Sequence, residues 1–182
     1  MNSSAHRAVA LLRGINVGKG NRIAMADLRA CTEAAGCSQV ATVLASGNVV
    51  LTDARAVPEI RQALEAAYSA RFGYDAVVQV LNRASLAAAV EGYPFHTLAD
   101  HHDYLVFSDS AEITTRVAQA MADEFRPGTT ETVAGGPDCI YWRVPRGSTL
   151  ASAPAKILDT RENKVHLTTR NLTTLRKILA VG

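Results

Sequence analysis

The chain has 182 residues, of which 48% are hydrophobic and 20% are charged, and its 19 Lys and Arg residues nearly balance 17 Asp and Glu residues. This composition is typical of a globular protein whose core needs neither disulfides nor metals. A formal net charge of +2 excludes a broad electrostatic attraction to DNA or anionic membranes, so any anion site must be local.

The chain shows no targeting or membrane signal. Its first residues lack the cationic start and long apolar run of a signal peptide, and no run of about 18 apolar residues could span a bilayer. We therefore expect no membrane association and a cytoplasmic location. The three cysteines, Cys31, Cys37 and Cys139, include no CxxC pair, which predicts reduced thiols in or near the core.

The first half of the chain alternates strand and helix patterns. Four apolar or β-branched runs predict strands over residues 7–12, 39–44, 49–52 and 76–81. Apolar residues at helical spacing predict helices over 25–35 and 58–73. The resulting order of strand, helix, strand, strand, helix, strand is the split βαβ pattern of a ferredoxin-like unit.

A similar order returns in the second half, after a small helix that Asn82 can cap. Predicted strands cover 103–107, 130–133 and 139–144, and predicted helices cover 111–125, 152–159 and a last helix beginning after Thr168-Thr169. Asp109 and Glu112 resemble a capping box before the helix over 111–125.

We therefore predict an α+β fold of two ferredoxin-like halves, about 1–82 and 83–182, packed as one compact unit over 1–182. The break between the halves should fall between Asn82 and His101, where no low-complexity linker occurs. A single sheet shared by the two halves stays open at this point.

The segment from Arg13 to Asn21 is the most informative loop. It follows a predicted strand, precedes a helix and holds three glycines, with Lys19 inside it and Arg22 just beyond. Glycines allow backbone N–H groups to turn toward an anion, and the cations would add charge. The spacing matches neither a Walker loop nor GxGxxG, so a loop that needs glycine only for tight turning remains the alternative.

Ser46, Gly47 and Asn48 lie in the predicted hairpin turn, where glycine and asparagine suit a backbone with positive φ. One interpretation is the turn alone. The other has the Ser46 hydroxyl and the Asn48 carboxamide pointing at a ligand. Ser46 lacks the GxSxG context of a nucleophile, which argues against covalent serine catalysis.

Thr168 to Asn171 are predicted to open the last helix, where the hydroxyls would cap free N–H groups. Those N–H groups and Arg170 could also hold an oxyanion. A cation in the first turn interacts unfavourably with the helix dipole. We therefore expect Arg170 to have a partner carboxylate or an anionic ligand.

The imidazole groups of His96, His101 and His102 cluster in sequence with Asp103. Their spacing matches no metal motif. Adjacent residues on a strand point to opposite faces, so His101 and His102 would not share an ion. We predict no metal site.

Three motifs, in this order and at this spacing, resemble a known bacterial family. They are LLRGINVG at 11–18, SGNV at 46–49 and TTRN at 168–171. The chain is similar over nearly its whole length to domain-of-unknown-function family 1697. It differs at Ala45, where glutamine is usual, at Leu172, where tryptophan is usual, and at 18–21, where paired glycines usually precede the lysine and asparagine.

The resemblance implies a compact α/β protein with ferredoxin-like halves and no established reaction. It also implies that the three motifs recur together, which favours one shared site over three independent turns.

We expect the motifs to converge on a site for a phosphate- or carboxylate-bearing small molecule, without a cofactor. The candidate ligand-binding residues are Arg13, Gly14, Asn16, Gly18, Lys19, Ser46, Gly47, Asn48, Thr169, Arg170 and Asn171. The arginines would pair with the anion, the asparagines would orient it, and glycine N–H groups would donate to it. These groups serve acid–base chemistry poorly, so whether a reaction is catalysed stays open.

Two other functions stay open. Nucleic-acid binding on a ferredoxin-like sheet would require exposed aromatic residues and a basic stripe, but only 5% of the residues are aromatic. A protein-interaction module would make the loops purely structural and would show an exposed apolar patch elsewhere. The sequence predicts no particular oligomeric state.

Overall fold

The computed structural model describes residues 5–17, 22–125, 130–136 and 138–181. The chain divides into two compact units, one up to Ala87 together with the residues from Lys177 onward, and one from Ala88 to Arg176. Each unit has its own four-stranded antiparallel sheet with helices. The predicted α+β class with two similar halves is confirmed, and the halves do not share one sheet.

The first unit has the predicted order of elements. They are β1 (His6–Leu12), α1 (Met25–Ala34), β2 (Ser38–Val43), β3 (Asn48–Asp53), α2 (Val57–Phe72) and β4 (Val78–Asn82), followed by the start of α3 (Arg83–Glu91). The sheet order is β2-β3-β1-β4, the split βαβ arrangement of a ferredoxin-like unit. β1 is a central strand that pairs antiparallel with both β3 and β4.

The core of the first unit forms where one face of β1 meets the helices. Ala8, Ala10 and Leu12 lie on that face in one buried cluster with Leu28 of α1 and Leu64 of α2. The residues between them on β1 are also fully buried. Burial on both faces explains why β1 reads as a continuous apolar run rather than an alternating one.

The second unit repeats this arrangement. Its elements are the end of α3, then β5 (His101–Ser108), α4 (Ala111–Asp123), β6 (Thr132–Gly135), β7 (Cys139–Pro145), α5 (Ala153–Leu158), α6 (Arg161–Lys164), β8 (Leu167–Asn171) and the start of α7 (Leu172–Leu179). The sheet order is β6-β7-β5-β8, so β5 takes the place of β1. None of the helices in the described ranges is long and apolar enough to cross a membrane.

The prediction that Thr168 to Asn171 open the last helix is wrong. These residues belong to β8, in which Thr169 lies opposite Val106 and Arg170 opposite Leu105 of β5. α7 begins only at Leu172. The β-branched threonines favour a strand once β5 offers a partner, and that long-range pairing leaves no local pattern.

The caps of two helices also differ from the prediction. Asn171, rather than a threonine hydroxyl, caps α7, because its Oδ1 accepts a hydrogen bond from the Thr173 N–H at 2.9 Å. At α4 the cap is Ser110, whose Oγ accepts from the Ile113 N–H. Asp109 instead pairs with Nδ1 of His166 at 3.1 Å, so the predicted capping box is wrong by one residue.

An ion pair with a buried carboxylate joins the end of β3 to the end of α1. Oδ2 of Asp53 lies 2.6 Å from Nη2 of Arg55, and the same nitrogen donates to the carbonyl of Ala35 at 3.0 Å. The hydrogen bonds from Arg55 lower the pKa of Asp53 from 3.8 to about 2, although burial opposes this shift. The Asp53 carboxylate is buried, whereas the Arg55 side chain is 34% exposed, so solvent screens the pair in part.

We expect the free energy of unfolding to fall as the pH drops from about 4 toward 2. Over this range protons bind the unfolded chain more readily than folded Asp53, because the folded pKa is the lower one. The shift corresponds to about 2 kcal/mol. Urea denaturation between pH 2 and pH 6 should show this loss in the wild type and a flatter pH dependence in Asp53→Asn. The exposed control Asp75→Asn should show the same pH dependence as the wild type. Equal pH dependence in the wild type and Asp53→Asn would contradict the assignment.

Candidate functional site

The loop after β1 is shaped by two residues in the left-handed region. Gly14 has a φ of 69° and Asn16 a φ of 54°, a conformation that asparagine tolerates better than most residues. Between them Ile15 turns inward and is only 2% exposed, whereas Gly14 and Val17 face solvent. Gly18 and Lys19 lie outside the described residues, so their proposed contacts stay predictions.

The carboxamide of Asn16 joins this loop to two other segments. Its Nδ2 donates to the carbonyl of Ile23 at 2.9 Å and to the carbonyl of Ala45 at 2.8 Å. Its Oδ1 accepts from the Ile23 N–H at 2.9 Å. Both amide hydrogens are therefore engaged, and the side chain fixes the loop against the hairpin turn and against the entry to α1.

A second carboxamide closes the hairpin turn. Asn48 is fully buried, and its Nδ2 donates to the carbonyl of Val43 at 2.7 Å and to Oγ of Ser46 at 2.9 Å. Ser46 itself is exposed. The serine of the turn therefore faces solvent, while the buried asparagine stabilises the turn through these hydrogen bonds.

Gly47 packs the turn directly against the loop. Its carbonyl accepts a hydrogen bond from the Leu12 N–H at 2.8 Å. A Cβ at this position would lie 2.7 Å from Cδ1 of Ile15 and 2.9 Å from Cβ of Leu12. Its φ of 73° also favours glycine. Both the lack of room for a side chain and the left-handed backbone conformation therefore require glycine here.

Loop and turn together form one surface at the end of the first sheet, which we call the loop surface. Its members are exposed or half-exposed and are Arg13, Gly14, Val17, Ala45 and Ser46. The Arg13 N–H donates to the carbonyl of Val77 at 3.0 Å, which anchors the surface to the segment before β4. The first two sequence motifs are thus brought together within one unit.

The third motif lies on β8 in the second unit. Nη1 of Arg170 donates to Oγ1 of Thr168 at 2.9 Å and to the carbonyl of Thr169 at 3.0 Å. Burial lowers the pKa of Arg170 to about 10, so the guanidinium stays charged at neutral pH. The expected convergence of Thr169, Arg170 and Asn171 with the first two motifs stays a prediction.

The histidine cluster behaves as expected for adjacent strand residues. His101 is buried, with Nδ1 2.7 Å from Oδ1 of Asp100. His102 is half-buried, and its ring centroid lies 5.8 Å from that of Tyr104. Within the part of the chain that the structure describes, no three His, Cys, Asp or Glu side chains are grouped to hold a metal.

The sequence analysis missed a cavity at the other end of the first sheet. Its basic lining residues are His6 and Arg7, at the start of β1, and Arg83, which lies far from them in sequence. The available signal was weak, since a strand start and a strand-to-helix junction rich in cations are common on protein surfaces. Only the pairing of β1 with β4 brings these residues together.

Gly47→Ala should destabilise the first unit more than Gly73→Ala. Gly73 ends α2 with a nearly identical φ of 70°, but nothing lies within 4 Å of a Cβ there. Both variants should lose about 1 to 2 kcal/mol for alanine in the left-handed region. Gly47→Ala should lose a further 1 to 3 kcal/mol, roughly the usual cost of overpacking. Urea denaturation measures both, and equal losses would show that the turn does not press on Ile15 and Leu12.

Comparison with known proteins identifies a family and a solved structure with a similar fold. The chain matches the model of the family "Protein of unknown function (DUF1697)" over residues 5–141, which includes the first two motifs and ends before Thr168. The solved structure of the conserved bacterial protein SP0830 from Streptococcus pneumoniae is 24% identical, with a TM-score of 0.78 over 98% of this chain and 99% of that chain. It shows the same fold.

A second solved structure, of an unknown protein from Galdieria sulphuraria, is 13% identical over 92% of this chain and 97% of that chain. Its TM-score of 0.27 is too low to support a structural argument. No curated protein matches the chain. Because the family model covers most of the sequence, the chain belongs to the DUF1697 family of proteins of unknown function.

Proposed function

We propose that this protein binds a phosphate- or carboxylate-bearing small molecule at the loop surface of the first unit. The observation that carries the proposal is the pair of hydrogen bonds from Nδ2 of Asn16 to the carbonyls of Ile23 and Ala45. They join the glycine-rich loop and the hairpin turn into one fixed surface. A loop fixed before the ligand arrives loses little conformational freedom on binding.

The groups around this surface suit an anion. Arg13 carries a planar guanidinium that can pair with two oxygens of a carboxylate or phosphate. Gly14, in the left-handed region, gives the backbone the kind of geometry that turns successive N–H groups toward one point. The exposed Ser46 hydroxyl adds a neutral polar group at the edge.

The proposal extends to residues beyond this surface. Gly18 and Lys19 belong to the same segment of the sequence, and Thr169, Arg170 and Asn171 belong to the third motif. A cytoplasmic setting is part of the proposal, and it is supported by three cysteines that are all free thiols.

Thermal unfolding in the presence of nucleotides, sugar phosphates and short RNA, at low and high salt, tests the proposal. A ligand at about 100 times its dissociation constant adds about 2.7 kcal/mol. For a chain of this size the midpoint should rise by roughly 5 to 10 °C. Arg13→Ala should lose this shift because the guanidinium is removed. Arg29→Ala changes the charge equally on the exposed face of α1 and should keep it.

Arg170→Ala separates two forms of the proposal. Loss of the shift would mean that the third motif contributes to binding, and retention would limit the site to the first two motifs. A panel in which no compound stabilises the wild type, or in which Arg13→Ala responds fully, would contradict the proposal. A salt-sensitive response to RNA alone would favour the nucleic-acid alternative.

A further inference from the structure

A cavity of about 810 Å³ lies at the end of the first sheet where β1 begins. β1 spans seven residues from this end to the loop surface, roughly 20 Å along the strand, so the two places are separate. The volume lies within the range of about 300 to 1,000 Å³ that is typical of small-molecule sites. The cavity can therefore hold more than a single ion.

Three basic residues line this cavity. His6 and Arg7 come from the start of β1 and Arg83 from the start of α3, and none of the lining residues is acidic. The nearest carboxylates along the chain are already engaged, since Asp53 pairs with Arg55 and Glu59 accepts from the Ala56 N–H at 2.9 Å. No residue of the lining therefore supplies a negative charge.

Two helices begin at this cavity. α2, of 16 residues, starts after Ala56, and α3, of nine residues, starts at Arg83. Ala56 provides no side-chain acceptor for the first-turn N–H groups of α2, unlike the usual N-cap residues. The carboxylate of Glu59 lies in the first turn of α2 and offsets its dipole, whereas the first turn of α3 holds no acidic residue. The dipole of α3 therefore adds positive potential at the cavity.

Two of the basic side chains have a buried nitrogen without a hydrogen-bond partner. Among the described residues, neither Nε2 of His6 nor Nε of Arg83 has a hydrogen-bond partner. Nη2 of Arg83 donates to the carbonyl of Leu179, which holds the guanidinium in place. Buried polar nitrogens of this kind are normally satisfied, and an anion would supply the acceptor that the Nε–H of Arg83 lacks.

From this geometry we propose that the cavity binds the phosphate group of a phosphomonoester of about nucleoside size. A phosphomonoester offers three oxygens and close to two negative charges, which suits the planar guanidinium of Arg83, with its unpartnered Nε–H, better than a single carboxylate does. The rest of the molecule would pack against the small apolar side chains of the lining, Ala56, Val57, Ala84 and Ala87.

Isothermal titration calorimetry with adenosine 5′-monophosphate, inorganic phosphate and adenosine tests this proposal on the full chain. The wild type should bind the monophosphate more tightly than inorganic phosphate, and adenosine alone should not bind measurably. Ala84→Glu places a carboxylate on the cavity wall and should weaken monophosphate binding about tenfold or more, because like charges repel. Glutamate in the first turn of a helix is favourable, so this variant should fold.

Two further variants complete the test. Ala66→Glu adds the same charge on the exposed face of α2 and should bind like the wild type. Arg83→Lys keeps the charge and a donor for Leu179 but removes the planar fork, so binding should weaken by at least about threefold. Circular dichroism and the unfolding midpoint without ligand verify that each variant is folded.

Binding that Ala84→Glu leaves unchanged, or a wild type that binds neither phosphate compound at millimolar concentration, would overturn the proposal. Binding that is lost in Arg13→Ala and kept in Ala84→Glu would place the ligand at the loop surface. That outcome would support the proposed function and overturn the second site. The reverse pattern would support the cavity and leave the loop surface without its ligand.

Discussion

The antiparallel pairing of β1 with a neighbour on each side is the constraint on which the first unit depends. Because β3 and β4 both register against it, both ends of this strand are fixed by the sheet rather than by the loops. One end supports the loop surface and the other supports the cationic cavity. A seven-residue strand therefore positions two chemically different places, and neither can shift without disturbing the core that β1 anchors.

Local sequence patterns predicted most elements of this architecture, although only the pairing of β2 with β3 follows from a short connection. The run over 7–12 and the hairpin around Gly47 were identified correctly, since apolar continuity and turn residues are local signals. Thr168 to Asn171 were misassigned because a strand that pairs with β5 is specified by a distant partner. The cavity was beyond prediction, since His6 and Arg83 meet only after β1 and β4 have paired.

The candidate ligand residues separate into two kinds once their contacts are known. The carboxamides of Asn16 and Asn48 are occupied by backbone carbonyls, so they shape the surface from beneath. Arg13 and Ser46 stand at its exposed rim. A sequence motif cannot distinguish these two roles, because the residue type is asparagine whether its side chain closes a turn or binds a ligand. The motifs of this chain thus reflect folding requirements as much as chemistry.

The hydrogen bond from Arg83 to Leu179 has a consequence for the biosynthesis of the chain. Leu179 belongs to the first unit, although the whole second unit lies between it and Ala87 in sequence. A ribosome must therefore make the second unit before the first unit can receive its last residues. The four strands of the first sheet can pair early, but Arg83 gains its carbonyl acceptor only late. In sequence, the second unit is inserted into the first unit, and its synthesis delays the completion of the first unit.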